Sequence, residues 1–190
     1  MPQDWVAFVA RHRIHATTFI VVSLVVWKFV SFARQPSAAG DHGVHHLGVG
    51  MVLVACGLSL RTWAAGTLRK HRGLTTTGPY SMIRNPLYVG TFMMVGGFAI
   101  LADASGVVWL AAGTCFAMCM CAVLHEERTL LKRFGATWRR YTNSTPRFLP
   151  RRLLAKNSTW TLQEWVRNRE YKAVLATMAG LSAIIAWDAL

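Results

Sequence analysis

Five apolar stretches, each close to the length of a transmembrane helix, constrain the fold of this chain more than any other feature. A helix of about 20 residues crosses the roughly 30 Å of hydrocarbon in a bilayer. The stretches lie at about 14–33, 44–65, 86–103, 106–124 and 171–189. Only residues 103–105 separate the third from the fourth, so these two must form a tight helical hairpin. The sequence therefore predicts an all-α integral membrane protein of about five transmembrane helices, forming a single membrane domain over residues 1–190.

The composition agrees with a membrane location. Of the 190 residues, 53% are hydrophobic and 15% are charged, whereas a soluble domain usually has about 25% charged residues. The formal net charge is +13, from 21 Lys and Arg against 8 Asp and Glu. Such an excess can bind nucleic acid, but here the basic residues flank the apolar stretches, as the positive-inside rule and anionic headgroups require. We therefore expect membrane lipids rather than nucleic acid as partners; the oligomeric state stays open.

The basic residues alternate between the two sides of the predicted membrane. They are dense between the second and third stretches and after the fourth, sparse between the first and second, and absent between the third and fourth. The N-terminus and residues 66–85 and 125–170 are therefore predicted on the cytoplasmic side, and the C-terminus outside. Lys28 and Arg61 fall near helix ends, where they can extend to the membrane surface. No cleavable signal peptide is evident, because the first stretch is long and no cleavage site follows it.

The segment after the fourth stretch has the pattern of an amphipathic helix. Leu130, Phe134 and Trp138 recur at helical spacing. The opposite face carries the basic residues Arg128, Lys132, Arg133, Arg139 and Arg140. Such a helix beside a membrane is expected to lie on its surface or to cap the bundle. Further along, Thr161 and Glu164 have the spacing of a capping box, which predicts another short helix.

The most unusual segment for a membrane protein is "GPYSMIRNPLYVG", residues 78–90, at the start of the third stretch. It combines turn-forming and polar residues, and "HEER" leaves the fourth stretch on the same side of the hairpin. The side chains expected to meet near one membrane face are Tyr80, Arg84, Asn85, Tyr88, Glu126 and Glu127. Ionisable residues at such depth are costly and indicate function by default. The alternative interpretation is that the acids only neutralise nearby arginines or mark a helix boundary.

The segments "GLTTTGPYSMIRNPLYVG" and "HEERTLLKRFGATWRRYTNSTPRFLP" together resemble the superfamily of isoprenylcysteine carboxyl methyltransferases and phospholipid N-methyltransferases. The resemblance covers roughly residues 60–152 and rests on the order and spacing of the two segments across the hairpin. Carboxyl methyltransferases typically have R-H-P-x-Y-x-x-G, and this chain has Asn85 in place of that histidine. The Asn-Pro pair resembles the phospholipid enzymes, whereas "PRFLP" resembles the carboxyl methyltransferases, so the acceptor stays open. The fifth stretch lies beyond the resemblance.

The resemblance implies an S-adenosylmethionine-dependent methyltransferase, with S-adenosylhomocysteine as product and a cofactor pocket between elements 66–90 and 125–150. Glutamate would bind the ammonium of the cofactor, and arginine, asparagine and backbone amides its carboxylate. The implied cofactor-binding residues are Gly78, Pro79, Tyr80, Arg84, Asn85, Pro86, Tyr88, Gly90, Glu126 and Glu127. The implied catalytic residues are Arg84, Glu127 and Arg147. Each also has a simpler interpretation: a turn at Gly78 and Pro79, a membrane-interface position for Tyr88, helix packing for Gly90, and headgroup contact for Arg147.

The acceptor is expected to be an amphipathic molecule that reaches the pocket from the bilayer. The candidates are an isoprenylcysteine-like carboxylate, a phospholipid amine, and a small thiol or amine. An amine must lose a proton, with Glu127 or Tyr88 as candidate bases. Membrane sterol reductases share part of the architecture but are usually much longer, and a non-enzymatic scaffold or transporter subunit is the alternative of another class. No metal site is predicted, since His42, His45 and His46 are interpreted as a solvated loop on the outer side.

Overall fold

The computed structural model describes residues 43–69, 73–102, 106–152 and 154–188. Within them all regular structure is helical, with one isolated backbone bridge between Gly78 and Lys156. The helices are α1 (Gly43–Thr67), a 3-10 turn (Pro79–Ser81), α2 (Pro86–Leu101), α3 (Gly106–Ser144), α4 (Leu162–Arg167) and α5 (Tyr171–Asp188). The predicted all-α class is confirmed for these residues, and the predicted stretch 14–33 lies outside them. Because α1 begins at Gly43, the interpretation of His45 and His46 as loop residues was wrong.

Two of the described helices are long and apolar enough to cross a bilayer. They are α1, over Leu47–Thr67, and α3, over Val108–Ser144. The apolar parts of α2 and α5, Pro86–Leu101 and Tyr171–Ala186, are shorter. The 16 residues of α2 extend about 24 Å, which is less than the usual hydrocarbon thickness. Four of the five predicted stretches are thus helices, and two of these four have full spanning length.

The helices present an apolar, exposed surface. Val52 in α1, Leu110 in α3 and Leu175 in α5 are 61%, 73% and 65% exposed, and most of each long apolar span is not buried inside the protein. A soluble protein buries such side chains, because burying one stabilises the fold by about 1.5–3 kcal/mol. Exposed apolar side chains on three helices therefore form a lipid-facing surface, and the chain is a membrane protein.

Helices α1 and α2 pack with their backbones in contact through two pairs of glycines. A Cβ atom on Gly57 would lie 2.6 Å from the carbonyl oxygen of Gly90, and one on Gly90 would lie 2.6 Å from that of Gly57. A Cβ atom on Gly97 would lie 2.7 Å from the carbonyl oxygen of Gly50. The two glycines of each helix are separated by two helical turns, so both contacts lie along one face of an antiparallel pair. This seam fixes the position of α2, and of the loop before it, on α1.

Helix α3 continues past the predicted end of the fourth apolar stretch. Its buried stripe consists of Val108, Ala112, Cys115, Cys119, Val123 and Glu127. Gly135 departs from helical geometry with φ 49° and ψ −116° and divides α3 into two segments. The predicted amphipathic helix is therefore not one separate element. Its first part continues the membrane helix, and the part after Gly135 buries Trp138 and Tyr141.

The C-terminal strap, residues 154–170, binds the C-terminal end of α1. The Nε1 atom of Trp160 donates to the carbonyl oxygen of Thr62 at 3.1 Å. The indole lies so close to Gly66 that a Cβ atom there would come within 2.0 Å of it. The amide of Asn168 donates to two carbonyl oxygens at the end of α1, at 2.8 and 2.9 Å. The two Asn168 bonds satisfy acceptors that the helix end leaves without partners.

The short helix predicted within the strap is confirmed as α4. Thr161 is its N-cap, and its Oγ1 atom accepts the backbone N–H of Glu164 at 3.3 Å. The Glu164 side chain is largely buried and lies 3.8 Å from Arg167. The Thr161 cap therefore marks the start of α4, while the Thr161 N–H donates to the carbonyl oxygen of Gly66 at 2.9 Å instead of completing a capping box.

The glycine seam can be tested by replacing each of two adjacent glycines of α2 with alanine: Gly97, which lies in the seam, and Gly96, which does not. Gly97→Ala would place its methyl group against the backbone of α1, which cannot yield, and overpacking of this kind costs about 1–3 kcal/mol. Gly96 has no atom within 4 Å of its Cβ position, so Gly96→Ala should be neutral or stabilise by up to about 1 kcal/mol through helix propensity. Apparent melting temperatures of the detergent-solubilised proteins measure the difference. Equal melting temperatures for the two variants would refute the seam.

Candidate active site

The loop before α2 is built on the turn at Gly78 and Pro79. Gly78 has a φ of +58°, a conformation that favours glycine. Its N–H donates to the carbonyl oxygen of Lys156 in the strap at 2.7 Å. The Ser81 hydroxyl donates to the carbonyl oxygen of Gly78 at 2.7 Å and accepts the Lys156 N–H at 2.8 Å. The predicted turn is present, and the strap holds it in place.

Asn85 is the N-cap residue of α2, but its side chain does not cap the helix. Asparagine at this position usually accepts a hydrogen bond from the first helical turn, and here no such bond forms. The carbonyl oxygen of Asn85 accepts the N–H groups of Tyr88 and Val89, each at 3.1 Å. Pro86 takes the first helical position, where its missing N–H is not needed. The Nδ2 atom of Asn85 donates instead to Oε1 of Glu127 at 3.0 Å, so the amide links α2 to α3.

Glu127 is the centre of the candidate site. It lies on α3 and is 8% exposed. Arg147 donates to its carboxylate through Nε at 3.1 and 3.2 Å and through Nη2 at 2.7 Å, and Nε of Arg84 lies 3.7 Å from Oε1. A buried carboxylate requires paired charges and hydrogen bonds. These three residues and Asn85 therefore form one unit, here the Glu127 cluster, in which two guanidinium groups and one carboxylate leave a net positive charge.

The two arginines of the Glu127 cluster keep donors that no described residue uses. The backbone N–H of Arg84 donates to the carbonyl oxygen of Pro146 at 2.9 Å, which brings Arg84 and Arg147 to the same carboxylate. Arg84 donates no side-chain hydrogen bond to a described residue, and its Nε atom is buried. The pKa of Arg147 is raised by its hydrogen bond to Glu127 and by the charge of that carboxylate, against the opposing effect of burial. Both guanidinium groups can therefore bind a further anion.

Tyr80 and Tyr141 connect the loop to the segment after Gly135. The Tyr141 hydroxyl donates to the carbonyl oxygen of Tyr80 at 2.6 Å. The Tyr80 hydroxyl is buried and has no hydrogen-bond partner among the described residues. Its pKa is raised well above the ordinary value, first by burial and then by the negative charge of Glu126. The hydroxyl is therefore neutral at physiological pH, and a ligand or a water molecule that bound it would supply the hydrogen-bond partner that it lacks among the described residues.

A second buried ion pair joins three helices. Arg61 of α1 donates to Glu170, just before α5, through Nε at 2.7 Å and Nη2 at 3.0 Å, and through Nη1 to Thr91 of α2. The Glu170 side chain is 5% exposed. The sequence-based expectation that Arg61 extends to the membrane surface was therefore wrong, because a carboxylate is available inside the protein. The sequence did contain a sign of this ion pair, because Arg61 and Glu170 are ionisable residues of opposite charge near the ends of two apolar stretches.

The structure brings some of the sequence-predicted site residues together and leaves others apart. Arg84, Asn85, Glu127 and Arg147 meet in the Glu127 cluster. Gly90 packs against α1, and this contact alone explains why a glycine is needed at this position, so that no bound ligand has to be invoked. The remaining predicted residues lie in the loop or next to the cluster in sequence: Gly78, Pro79, Tyr80, Pro86, Tyr88 and Glu126. Contact of any of these residues with a cofactor stays a prediction.

The sequence pattern of the family described as "Phospholipid methyltransferase" matches residues 45–137 of the chain. This range includes Arg84, Asn85 and Glu127, and it ends before Arg147 and Glu170. The chain belongs to the phospholipid methyltransferase family. It is thereby a member of the superfamily that also contains the isoprenylcysteine carboxyl methyltransferases, as the sequence resemblance predicted.

Two bacterial relatives match over most of the chain. The nickel-cobalt-cadmium resistance protein NccN of Alcaligenes xylosoxydans xylosoxydans is 32% identical over 160 residues, which cover 83% of this chain and 74% of the relative. The cobalt-zinc-cadmium resistance protein CzcN of Cupriavidus metallidurans is 30% identical over 158 residues, which cover 82% and 72%. No solved structure matches the chain significantly.

Substitutions at Asn85 test its link to Glu127. Asn85→His should preserve stability, because the imidazole can donate to the same carboxylate, as the histidine of related carboxyl methyltransferases would. Asn85→Ala should lower the free energy of unfolding by about 1–3 kcal/mol through the unsatisfied carboxylate. Melting temperatures in detergent at neutral pH give the ranking, and an Ala variant as stable as the wild type would contradict the assigned contact.

Proposed function

We propose that the protein is an S-adenosylmethionine-dependent methyltransferase that acts on a lipid-like acceptor at the cytoplasmic face of the membrane. The observation that carries the proposal is the Glu127 cluster, in which residues from both halves of the family-matched region meet around one buried carboxylate. The single membrane domain would bind the cofactor between elements 66–90 and 125–150. The N-terminus would lie on the same side as this pocket and the C-terminus on the other.

The chemistry of the side chains fits the amino-acid end of S-adenosylmethionine. Arg84 and Arg147 have donors available for its carboxylate. The sequence-based role of Glu127, partner of the ammonium, suits this geometry less well, because Arg147 and Asn85 already bind both carboxylate oxygens. We therefore assign the ammonium to the side of Glu126 and the Tyr80 hydroxyl. Glu127 would position Arg84 and Arg147, which it holds in one orientation.

The cofactor supplies a methyl group that its sulfonium already activates, so the protein needs to contribute orientation and exclusion of water. The Glu127 cluster would orient the cofactor, and the turn at Gly78 with residues 156–158 of the strap would cover it. Irregular backbone at this depth is tolerated because it is packed within protein. The apolar surfaces of α1 and α3 would let an acceptor approach from the bilayer.

The charges at the site favour an anionic group on the acceptor. The net positive charge of the Glu127 cluster suits an acceptor with a carboxylate or phosphate, as in an isoprenylcysteine or a phospholipid. Both oxygens of Glu127 already accept hydrogen bonds from Asn85 and Arg147, so it is a poor candidate base for an amine acceptor. If the acceptor is a lipid amine or a small amine, Tyr88 is the remaining candidate base from the sequence. A small thiol would react as its thiolate, which the same positive charge would also favour.

The names of the two relatives add a cellular context. NccN is named as a resistance protein for nickel, cobalt and cadmium, and CzcN as one for cobalt, zinc and cadmium. We propose that methylation by this chain serves heavy-metal resistance through a modified membrane component. Direct metal binding has less support, because the described residues form no group of three or more His, Cys, Asp and Glu side chains that could hold a metal ion.

Calorimetric titration of the detergent-purified protein with S-adenosylmethionine tests the proposal. The wild type should bind saturably. Glu127→Gln should weaken binding by about tenfold or more, because the arginines lose a charge-assisted bond that positions them. Glu164→Gln removes an equally buried carboxylate in α4 and should bind like the wild type.

Absence of binding to the folded wild type would contradict the cofactor assignment and leave a non-enzymatic scaffold or transporter subunit in first place. If Glu127→Gln binds the cofactor and transfers methyl groups as the wild type does, the assignment of Glu127 to the cofactor site is wrong, although the protein is still a methyltransferase.

A further inference from the structure

All four glutamates of the chain are at least partly buried. They are Glu126, Glu127, Glu164 and Glu170. Three of them are buried and Glu126 is partly buried, although the protein carries a net charge of +13. A carboxylate that only improved solubility would lie on the surface. Glu170 is the most buried of the four, and it lies beyond the family-matched residues 45–137.

Glu170 is held as the partner of a single guanidinium group. Both of its oxygens accept from Arg61, at 2.7 and 3.0 Å. The residue before it, Arg169, has a φ of +58°, which is unfavourable for a residue with a side chain. Backbone strain of this kind persists where the surrounding structure requires it. Here it accompanies the turn that carries the chain from α4 into the buried position of Glu170.

The Arg61–Glu170 pair adjoins the candidate site. Arg61 also contacts Thr91 and Gly90 of α2, and Thr91 lies six residues beyond Asn85, or about 9 Å along the helix axis. The charges of Arg61 and Glu170 both act on the Tyr80 hydroxyl, in opposite directions. The pair therefore lies close enough to affect a ligand bound beside Tyr80.

We propose that Glu170 is a positioning residue of the cofactor site that neutralises Arg61 and thereby keeps the space beside Tyr80 favourable to a positively charged ligand. The proposal rests on the proposed function. S-adenosylmethionine has an ammonium, a sulfonium and a carboxylate and is a net cation, whereas S-adenosylhomocysteine lacks the sulfonium charge and is neutral overall. An uncompensated Arg61 would repel the substrate more than the product, since the substrate carries one more positive charge.

A purely structural role for Glu170 makes a different prediction. If the pair only anchors α5 to α1 and α2, its loss loosens the site and weakens both ligands by the same factor. The ratio of the two dissociation constants therefore separates electrostatic positioning from anchoring.

The experiment measures binding of S-adenosylmethionine and S-adenosylhomocysteine to the full-length protein by calorimetry. Glu170→Gln keeps the shape of the side chain and removes its charge. It should weaken S-adenosylmethionine about tenfold more than S-adenosylhomocysteine. Glu164→Gln is the matched control and should leave the ratio unchanged, because Glu164 is paired in α4 and is not among the charges that act on Tyr80.

A rescue variant restores the charge without restoring the link to α5. In Thr91→Asp with Glu170→Gln, a carboxylate approaches Arg61 from α2, where the threonine hydroxyl now accepts its Nη1 hydrogen bond. The ratio should return to the wild-type value. If Glu170→Gln alone is not recovered folded, Thr91→Asp in the wild-type background should raise the preference for S-adenosylmethionine.

Equal weakening of both ligands in Glu170→Gln, or no recovery of the ratio in the rescue variant, would overturn the proposal and leave Glu170 as an anchor. An unchanged preference in the Thr91→Asp single variant would overturn it as well. A wild type that binds neither ligand would refute the proposed function itself. This outcome differs from one in which the ligands bind but the ratio of their dissociation constants in Glu170→Gln equals that of the wild type, which would refute only the role of Glu170.

Discussion

The arrangement of the candidate site depends on burying one carboxylate, Glu127, near the end of an apolar helix. A carboxylate cannot stay ionised there without partners, and the partners come from three places: Asn85 at the start of α2, Arg84 in the loop before it, and Arg147 after α3. The requirement to pair this charge explains why an N-cap asparagine does not cap its helix. It also explains why the chain after α3 returns to the loop before α2.

The membrane helices and part of the site could be predicted from the sequence, because hydrophobic run length and turn chemistry act locally. Four apolar stretches became helices, Gly78 forms the expected turn, and Thr161 caps α4. Long-range pairing could not be predicted in the same way. Hydropathy places Arg61 and Glu170 at helix ends, but only the tertiary fold brings residues 109 positions apart into one ion pair. The helical segment of α3 that reaches Gly135 extends beyond the fourth apolar stretch, 106–124. This extension was missed because the polar residues after that stretch resemble the end of a membrane helix when helix packing is unknown.

The two buried ion pairs divide the site into regions of opposite character. The Glu127 cluster is net positive and has unused donors, and the region beside Tyr80 has two carboxylates against one guanidinium. Under the proposed function, the zwitterionic amino-acid group of the cofactor would lie between these regions. The glycine seam of α1 and α2 and the C-terminal strap fix the elements that carry the two regions. The exposed apolar helix surfaces would then let an acceptor approach from lipid rather than from water.

Transfer of a labelled methyl group into lipid tests the central claim most directly. Membranes that contain the protein are incubated with S-adenosylmethionine labelled at the methyl group and then extracted with organic solvent. We expect label in the extractable fraction with the wild type and with Glu164→Gln, and about tenfold less label or lower with Glu127→Gln at a subsaturating concentration of the cofactor. Equal label with wild type and Glu127→Gln, or none from a wild type that binds the cofactor, would contradict methyl transfer to a lipid-like acceptor at this site.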